Sequence, residues 1–361
     1  MQVGSLDPGG IQRARPRARR PNLFTQRGAC VVVAAVAGCA AVLALAFEYA
    51  GEGVWWAELA RYVPYPAYLV PALAAAGLSL LLGGRWRCIA LATLLLVLGP
   101  IMGLTVNAGE SGAGRLRVMT YNIKDYVALR RPGGFAAIAW EIALHDADIV
   151  VMQDADNVAD LLHDDPKGAA KMFGARQVVT SGQFIIASRV PLRGCKDGDV
   201  SFPGERHHYQ RCTVQANGVA FELFNVHLLT PREGLNATRH ERLAGIDDWK
   251  DNVASRVLQA RALARDVSAA KLPVVLMGDL NAPEHSPVVG HLLSTGLRDA
   301  FSTAGVGYGY THGHSLRPHI SFARLDHVLV SPKFGVAESY VGGKDASEHR
   351  PVITDLWLQR E

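Results

Sequence analysis

Six short stretches of the chain end an apolar run with a side chain able to bind a cation or move a proton. Thr120-Tyr121-Asn122 closes LRVMTYN, Gln153-Asp154 closes DIVVMQD, and Asn225-Val226-His227 closes a third run. Gly278-Asp279-Leu280-Asn281 follows PVVLM, Arg324-Leu325-Asp326 precedes HVLVS, and Ser347-Glu348-His349-Arg350-Pro351 precedes VITDLWL. Carboxylates, carboxamides and imidazoles are the groups that phosphoryl chemistry needs. A phosphate ester repels an incoming hydroxide, so a site must neutralise the phosphoryl oxygens. A hard cation on carboxylate oxygens does this and acts as a Lewis acid. Any one such residue at a strand end serves equally well as a turn or cap residue. Six at strand ends of one domain form a set.

The elements that would carry these residues alternate. Strand-like runs are expected at 116–123, 148–152, 183–187, 210–215, 219–226, 273–277, 327–330 and 351–357, with helical spacing at 135–144 and 237–269. Turns at Pro203-Gly204, Asn217-Gly218 and Gly305–Gly309 separate them. Hairpin-like turns and helices between strands give an α/β domain with a mixed sheet. No repeat of 20–50 residues is evident.

The first third is different. The chain has 361 residues, of which 49% are hydrophobic and only 19% charged. The charged share is below the ~25% of soluble domains. Disorder and collagen-like repeats are excluded by the apolar content, and five Cys exclude a disulfide scaffold. Residues 1–108 carry nine Arg against four acidic residues, whereas 109–361 carry 28 basic and 29 acidic residues and all 13 His. The second part has no basic excess, so tight non-specific nucleic-acid binding is not expected.

Uncharged runs at 29–47 and 88–106 have the length of a membrane span, and the shorter run 67–82 follows Tyr65 and precedes Trp86. A three-helix transmembrane region over 29–106 is expected, after a basic N-terminus over 1–28. Arg13, Arg15, Arg17, Arg19, Arg20 and Arg27 precede the first run, and Arg85 and Arg87 lie between the last two. The positive-inside rule places these on the cytoplasmic side, and three spans then place the rest of the chain outside. Ala44-Leu45-Ala46 resembles a signal-peptidase site, but the run is long for a signal peptide. Cys195 and Cys212 would meet an oxidising compartment, where they either pair or remain two thiols. Residues 107–115, rich in small side chains, read as a flexible linker to a domain over 116–361.

The motifs TYNI (120–123), DIVVMQD (148–154), NVHL (225–228), GDLN (278–281), RLDHVLVS (324–331) and SEHRPV (347–352) resemble the endonuclease/exonuclease/phosphatase superfamily, the DNase-I-like phosphoesterases. The likeness spans about 116–358, and the architecture looks like that of bacterial membrane-anchored members. It implies a four-layer α/β sandwich of two mixed β-sheets flanked by helices, a divalent metal (Mg²⁺ or Mn²⁺), and hydrolysis of a phosphate-ester substrate. It implies Asp154, with Asn122 and Glu348, at the metal, and Asp279 as the residue that orients or deprotonates water. It further implies Asn281 on the nucleophile or phosphate, His227 and His349 on the phosphoryl oxygens, and Asp326 orienting His349.

Two departures stand out. Asp154 replaces the family's usual Glu, and Glu348 its usual Asp, each moving a carboxylate by about one C–C bond, ~1.5 Å. Lys124 stands where some nuclease members carry an acid, which implies one principal metal. The reading is a membrane-anchored, extracytoplasmic, metal-dependent phosphoesterase acting on nucleic acid, nucleotide or lipid head group. The alternative is a weakened member that binds phosphorylated ligands without turnover. A channel or transporter is disfavoured, because the spans carry only Glu48, at an edge. His312-Gly313-His314 with His319 reads as metal ligands, a substrate rim or a Gly-rich loop. Arg211 and Arg350 read as phosphate contacts or surface ion pairs.

Overall fold

The computed structural model describes residues 23–164, 166–316 and 319–358. The Arg cluster at 13–20 lies outside them. Four helices come first: α1 (Leu23–Tyr49), α2 (Trp55–Arg61), α3 (Leu69–Ser79) and α4 (Gly84–Leu96). Two helical stretches are long and apolar enough to cross a bilayer, Thr25–Tyr49 and Gly84–Ile101. Only 22% of either is buried, and Val31, Val42, Leu45, Leu91 and Leu95 are each more than half exposed. A soluble core helix would hide that surface.

Two helical stretches of spanning length therefore stand where three were expected. The middle run is an 11-residue helix after a 3₁₀ turn at Tyr65–Tyr68. Pro66 sits in that turn and Pro71 in the first turn of α3, where a missing N–H is tolerated. The last run begins at Gly84 rather than 88 and ends in a π-turn, Val97–Ile101, around Pro100. Ala29 and Val33 pack with Ala75, Leu82 and Ala90, whereas Ala40 and Phe47 pack with Tyr65, Ala72, Val97 and Ile101. So α3 runs antiparallel to α1 and α4.

The remainder runs β1 (Thr105–Val106), β2 (Leu116–Asn122), α5 (Asp125–Ala128), α6 (Gly134–His145), β3 (Ile149–Gln153), α7 (Asp156–Asp164), α8 (Pro166–Phe173), β4 (Gln177–Ser181), β5 (Phe184–Ser188), β6 (Leu192–Asp199), β7 (His208–Ala216), β8 (Val219–His227), α9 (Arg232–Glu241), α10 (Gly245–Ser268), β9 (Val274–Asp279), α11 (Pro287–Leu293), β10 (Arg298–Asp299), α12 (Ala300–Ala304), β11 (Val306–Gly307), β12 (Asp326–Val330), β13 (Phe334–Val341) and β14 (Val352–Leu358). They build two six-stranded sheets, ordered β10-β12-β9-β8-β7-β6 and β13-β14-β2-β3-β5-β4. Both are mixed: β8 and β9 are parallel, as are β2 and β3, and their other pairs are antiparallel.

Alternation along the strands sorts residues between two faces. Val118, Val151, Leu223, Met277 and Val328 meet between the sheets. Met119, Val150 and Met152 face α6, α7 and α8 through Ile138, Ile142, Val158 and Phe173. Phe224, Val226 and Leu276 face α10 and α11 through Trp249, Val253, Ala260 and Val289. The result is helix, sheet, sheet, helix. Cys195 and Cys212 form a disulfide between β6 and β7.

The linker is docked rather than free. Glu110 N–H donates to Val336 O (2.7 Å), and the Glu110 carboxylate pairs with Arg298 (2.9 Å). A Cβ on Gly109 would lie 1.6 Å from Ala337 O, so only glycine fits there. One expected helix also divides. Arg242, in a left-handed conformation (φ +56°), separates α9 from α10.

Candidate active site

The same alternation that builds the inter-sheet core carries polar residues to its end. Asn122 shares parity with Leu116 and Val118 on β2, Gln153 with Ile149 and Val151 on β3, and His227 and Asn225 with Phe221 and Leu223 on β8. Asp279 follows Val275 and Met277, and Asp326 precedes Val328. Strand register then aligns them. His227 and Asp326 both pair with Asp279 from either side, and Asn122 pairs with Gln153 on the opposite sheet. Side-chain bonds join the sheets here: Asn122 Nδ2 donates to Asp279 Oδ2 (2.9 Å), Gln153 Nε2 to Asn225 Oδ1 (2.7 Å), and Asn225 Nδ2 to Met152 O (3.0 Å) and Ile185 O (3.2 Å).

Around this seam lies a cavity of about 250 Å³ lined by Lys124, Asp154, Gln183, His227, Asp279 and Asn281 among others. His227 Nε2 and His349 Nε2 each stand 3.7 Å from Asp279 Oδ2. His349 Nδ1 is 2.8 Å from Asp326 Oδ2. His227 Nδ1 lies 2.5 Å from Gln183 Oε1 and 3.5 Å from Asp154 Oδ1. Asp279, Asp326 and His349 are all at most 2% exposed.

Three wall residues adopt the left-handed backbone that L-residues avoid: Lys124 (φ +40°), Asp154 (+49°) and Asn281 (+49°). Each lies at or just past the C-terminus of a site strand, so the chain turns sharply there. Such conformations persist where surrounding bonds over-determine them. Asn281 N–H donates to Asp279 Oδ1 (2.8 Å) and its Nδ2 to Leu228 O (2.8 Å), while Lys124 N–H donates to Asn122 Oδ1 (3.1 Å).

The electrostatics follow from burial and crowding. Burial, then the neighbouring Asp326 charge, raises the Asp279 carboxyl above its ordinary range. Burial pushes His349 down, but Asp326 and Asp279 together outweigh it and hold the imidazolium form upward. His312, whose ring lies 4.6 Å from that of His349, is pushed down to about 2, first by burial and then by the His349 and Lys124 charges.

A hard divalent cation suits this donor set. Atoms of Asp279, Asp326 and His349 lie within 4.8 Å of one another, and Asp326 Oδ1 is buried with no hydrogen-bond partner among the described residues. The Asp154 carboxylate lines the cavity and is paired with no Lys or Arg among them. Carboxylate and amide oxygens of this kind are what Mg²⁺ or Mn²⁺ takes.

Of the residues singled out from sequence, the structure brings Asn122, Asp154, His227, Asp279, Asn281, Asp326 and His349 to one end of the sandwich. Glu348 stands at its edge, 3.3 Å from Lys124 Nζ and about a quarter exposed. His312 packs on His349, and His314 Nε2 bonds Ser347 O (2.9 Å), so these two brace the site loop. Arg211 lies away from the cavity, beside Glu222 (3.7 Å), and Arg350 Nε donates to Gly342 O (2.8 Å). Gln183 was not singled out, and Asn225, named within the NVHL motif, was given no role. A polar residue opening the apolar run FIIAS was the available sign for Gln183.

The model of the Endonuclease/Exonuclease/phosphatase family matches residues 119–349. An endonuclease/exonuclease/phosphatase from Beutenbergia cavernae DSM 12333 shares the fold, at 22% identity and TM-score 0.50, over 68% of this chain and 72% of that one. D. rerio TDP2, solved with a single-strand DNA product, aligns at 14% identity and TM-score 0.51, over 68% of this chain and 100% of that one. A mannosyl-6-phosphatase from Bacteroides thetaiotaomicron VPI-5482 aligns at 19% identity and TM-score 0.48, over 67% and 100%. No curated protein matches the chain.

Proposed function

Because the chain belongs to the endonuclease/exonuclease/phosphatase family, whose members are phosphoesterase hydrolases, we propose that it is a membrane-anchored phosphoesterase using Mg²⁺ or Mn²⁺. The observation that carries this reading is the convergence of His227, Asp279, Asp326 and His349, with each imidazole Nε2 3.7 Å from one buried carboxylate oxygen.

Asp154, Asn122 and Glu348 would hold the cation, which when bound neutralises phosphoryl oxygens and activates water. Asp279, oriented by Asn122 and the Asn281 N–H, takes the proton of the attacking water. Its upward shift makes it a better base near neutral pH. Asp326 accepts from His349 Nδ1–H and favours the imidazolium form, whose Nε2–H then points a donor at developing negative charge. His227, fixed by Gln183, stands on the other side of Asp279 and faces the same cavity.

The apolar, outward-facing α1 and α4 support a bilayer as partner. The antiparallel α3 supports a chain that leaves the bundle on the side opposite its basic N-terminus, and the Cys195–Cys212 disulfide fits an oxidising compartment there. The near-neutral catalytic part favours small or lipid-borne phosphates over nucleic acid. A periplasmic reporter fused after Glu361 should be active, and one that works only in the cytoplasm would overturn the sidedness.

The decisive assay is hydrolysis of bis-(p-nitrophenyl) phosphate with Mg²⁺ or Mn²⁺ by the full chain. Asp279→Ala and His349→Ala should each lower kcat by about 10²–10⁴-fold, and chelation should abolish turnover until metal is restored. The Lys124–Glu348 ion pair, which offsets one expected ligand, favours a second reading in which the protein binds phosphorylated ligands without turnover. Equal background rates in wild type and both variants would select it.

A further inference from the structure

We propose that Tyr62 and Arg256 are positioning residues for the catalytic cleft: together they clamp the main-chain carbonyl of Asn281, so the segment joining the two long apolar helices completes the site from outside the sandwich. The Tyr62 hydroxyl donates to Asn281 O at 2.9 Å, and Arg256 Nη2 donates to the same oxygen at 2.8 Å. Arg256 Nη2 also bonds the Tyr62 hydroxyl, and its guanidinium carbon lies 5.2 Å from the centre of the Tyr62 ring.

Asn281 is the residue most in need of such a clamp. It lines the cavity, it is in a left-handed conformation, and its N–H orients Asp279 two residues earlier. Its carbonyl fixes the plane of the following peptide. With Leu280 N–H bonded to Leu325 O (3.0 Å), the whole turn after β9 is pinned to the strand that begins at Asp326.

Packing alone does not account for Arg256. It is fully buried, its Nε and Nη1 have no partner, and no carboxylate pairs with it among the described residues. A buried charge held this sparsely is costly, and an apolar residue of similar size would pack there at less expense. What the guanidinium supplies is direction, through one fork atom that reaches Asn281 O and the Tyr62 hydroxyl together. The same interface contains an ion pair that touches neither Tyr62 nor Asn281, Arg261 to Glu52 (2.7 Å), which serves as an internal control.

The kinetic arm rests on the phosphoesterase reading, and the exchange arm does not. In full-length protein in detergent, Tyr62→Phe should lower kcat about three- to tenfold, the loss of one hydrogen bond, with KM changed less than about twofold. Hydrogen exchange of the amides of 280–282 should quicken by about the same factor. Arg256→Lys, which keeps the charge but not the fork, should do the same. Arg261→Gln, which breaks the ion pair to Glu52, should leave both kcat and the 280–282 amides unchanged. Unchanged exchange in Tyr62→Phe overturns the proposal whatever the activity, as does a Tyr62→Phe loss that Arg261→Gln reproduces. Wild-type protein without metal-dependent turnover would instead defeat the phosphoesterase reading and leave the exchange result to decide this one.

Discussion

Replacing Asp326 by Asn keeps the shape of the His349 partner and removes its charge. Asp326 Oδ2 and His349 Nδ1 are 2.8 Å apart, and neither residue is more than 2% exposed. A hydrogen bond to a charged partner is worth about 1.5–3 kcal/mol and a neutral one about 0.5–1.5 kcal/mol. The exchange therefore removes roughly 1–1.5 kcal/mol from the imidazolium, or about five- to twelvefold in rate at neutral pH. The direction with pH is more diagnostic. Asp326 helps to hold His349 protonated, so without its charge the imidazolium is lost at lower pH. Asp326 also raises Asp279, so without its charge that carboxyl ionises at lower pH. Both limbs of the pH profile of kcat/KM should move downward, the bell shifting as a whole rather than narrowing. The assay is bis-(p-nitrophenyl) phosphate hydrolysis from pH 5 to 10 with saturating metal. A variant profile that overlays the wild type, or one whose alkaline limb moves upward, would refute the assignment of Asp326 and His349 as a working pair.

Two other outcomes follow from groups that the chemistry does not consume. His312 is held neutral far below its ordinary 6.5, at about 2, by burial and the His349 and Lys124 charges. Unfolded chains take up that proton below pH 6.5 while the folded one does not. The stability it supports is complete above pH 6.5 and falls as pH drops toward 2, by up to ~1.4 kcal/mol per pH unit. Thermal melts at pH 7.5 and 5 should show a shallower acid loss in His312→Gln, and an unaltered slope would contradict the account. The Cys195–Cys212 bridge closes a loop of 17 residues at the sheet edge, worth about 3 kcal/mol. The Cys195→Ser/Cys212→Ser double variant should melt earlier with kcat preserved, and a large kcat loss would show that the bridge reaches the cleft.

The candidate site was legible because it obeys the shortest rule a chain has. On a strand, every second residue shares a face, so apolar residues that mark the inter-sheet core also mark where Asn122, His227 and Asp279 must point. Of the strands that escaped notice, β6 and β4 lack that signal. β6, LRGCKDGD, is a polar edge strand with a bulge between Arg193 and Lys196, and β4, QVVTS, is only half buried. The length of the middle apolar run was misjudged because composition records hydrophobicity but not the 3₁₀ turn at Pro66. The docked linker was misread for a related reason, since small residues suit a free tether and a close backbone approach equally. Tyr62 and Arg256 meet at the site from segments 194 residues apart, and no local pattern announces such a meeting.

The pinned linker limits where this catalytic head can work. Glu110 is fastened to Arg298, Tyr310 OH bonds Met102 O at 2.7 Å where the last long helix ends, and Arg261 grips Glu52 at 2.7 Å beyond the first. The head cannot swing on a leash and sweep a volume of solvent. It rides its helices as one body, at a set height and tilt. On the membrane-anchored phosphoesterase reading proposed above, substrates would have to drift into its reach, and the encounter would become a search over a plane.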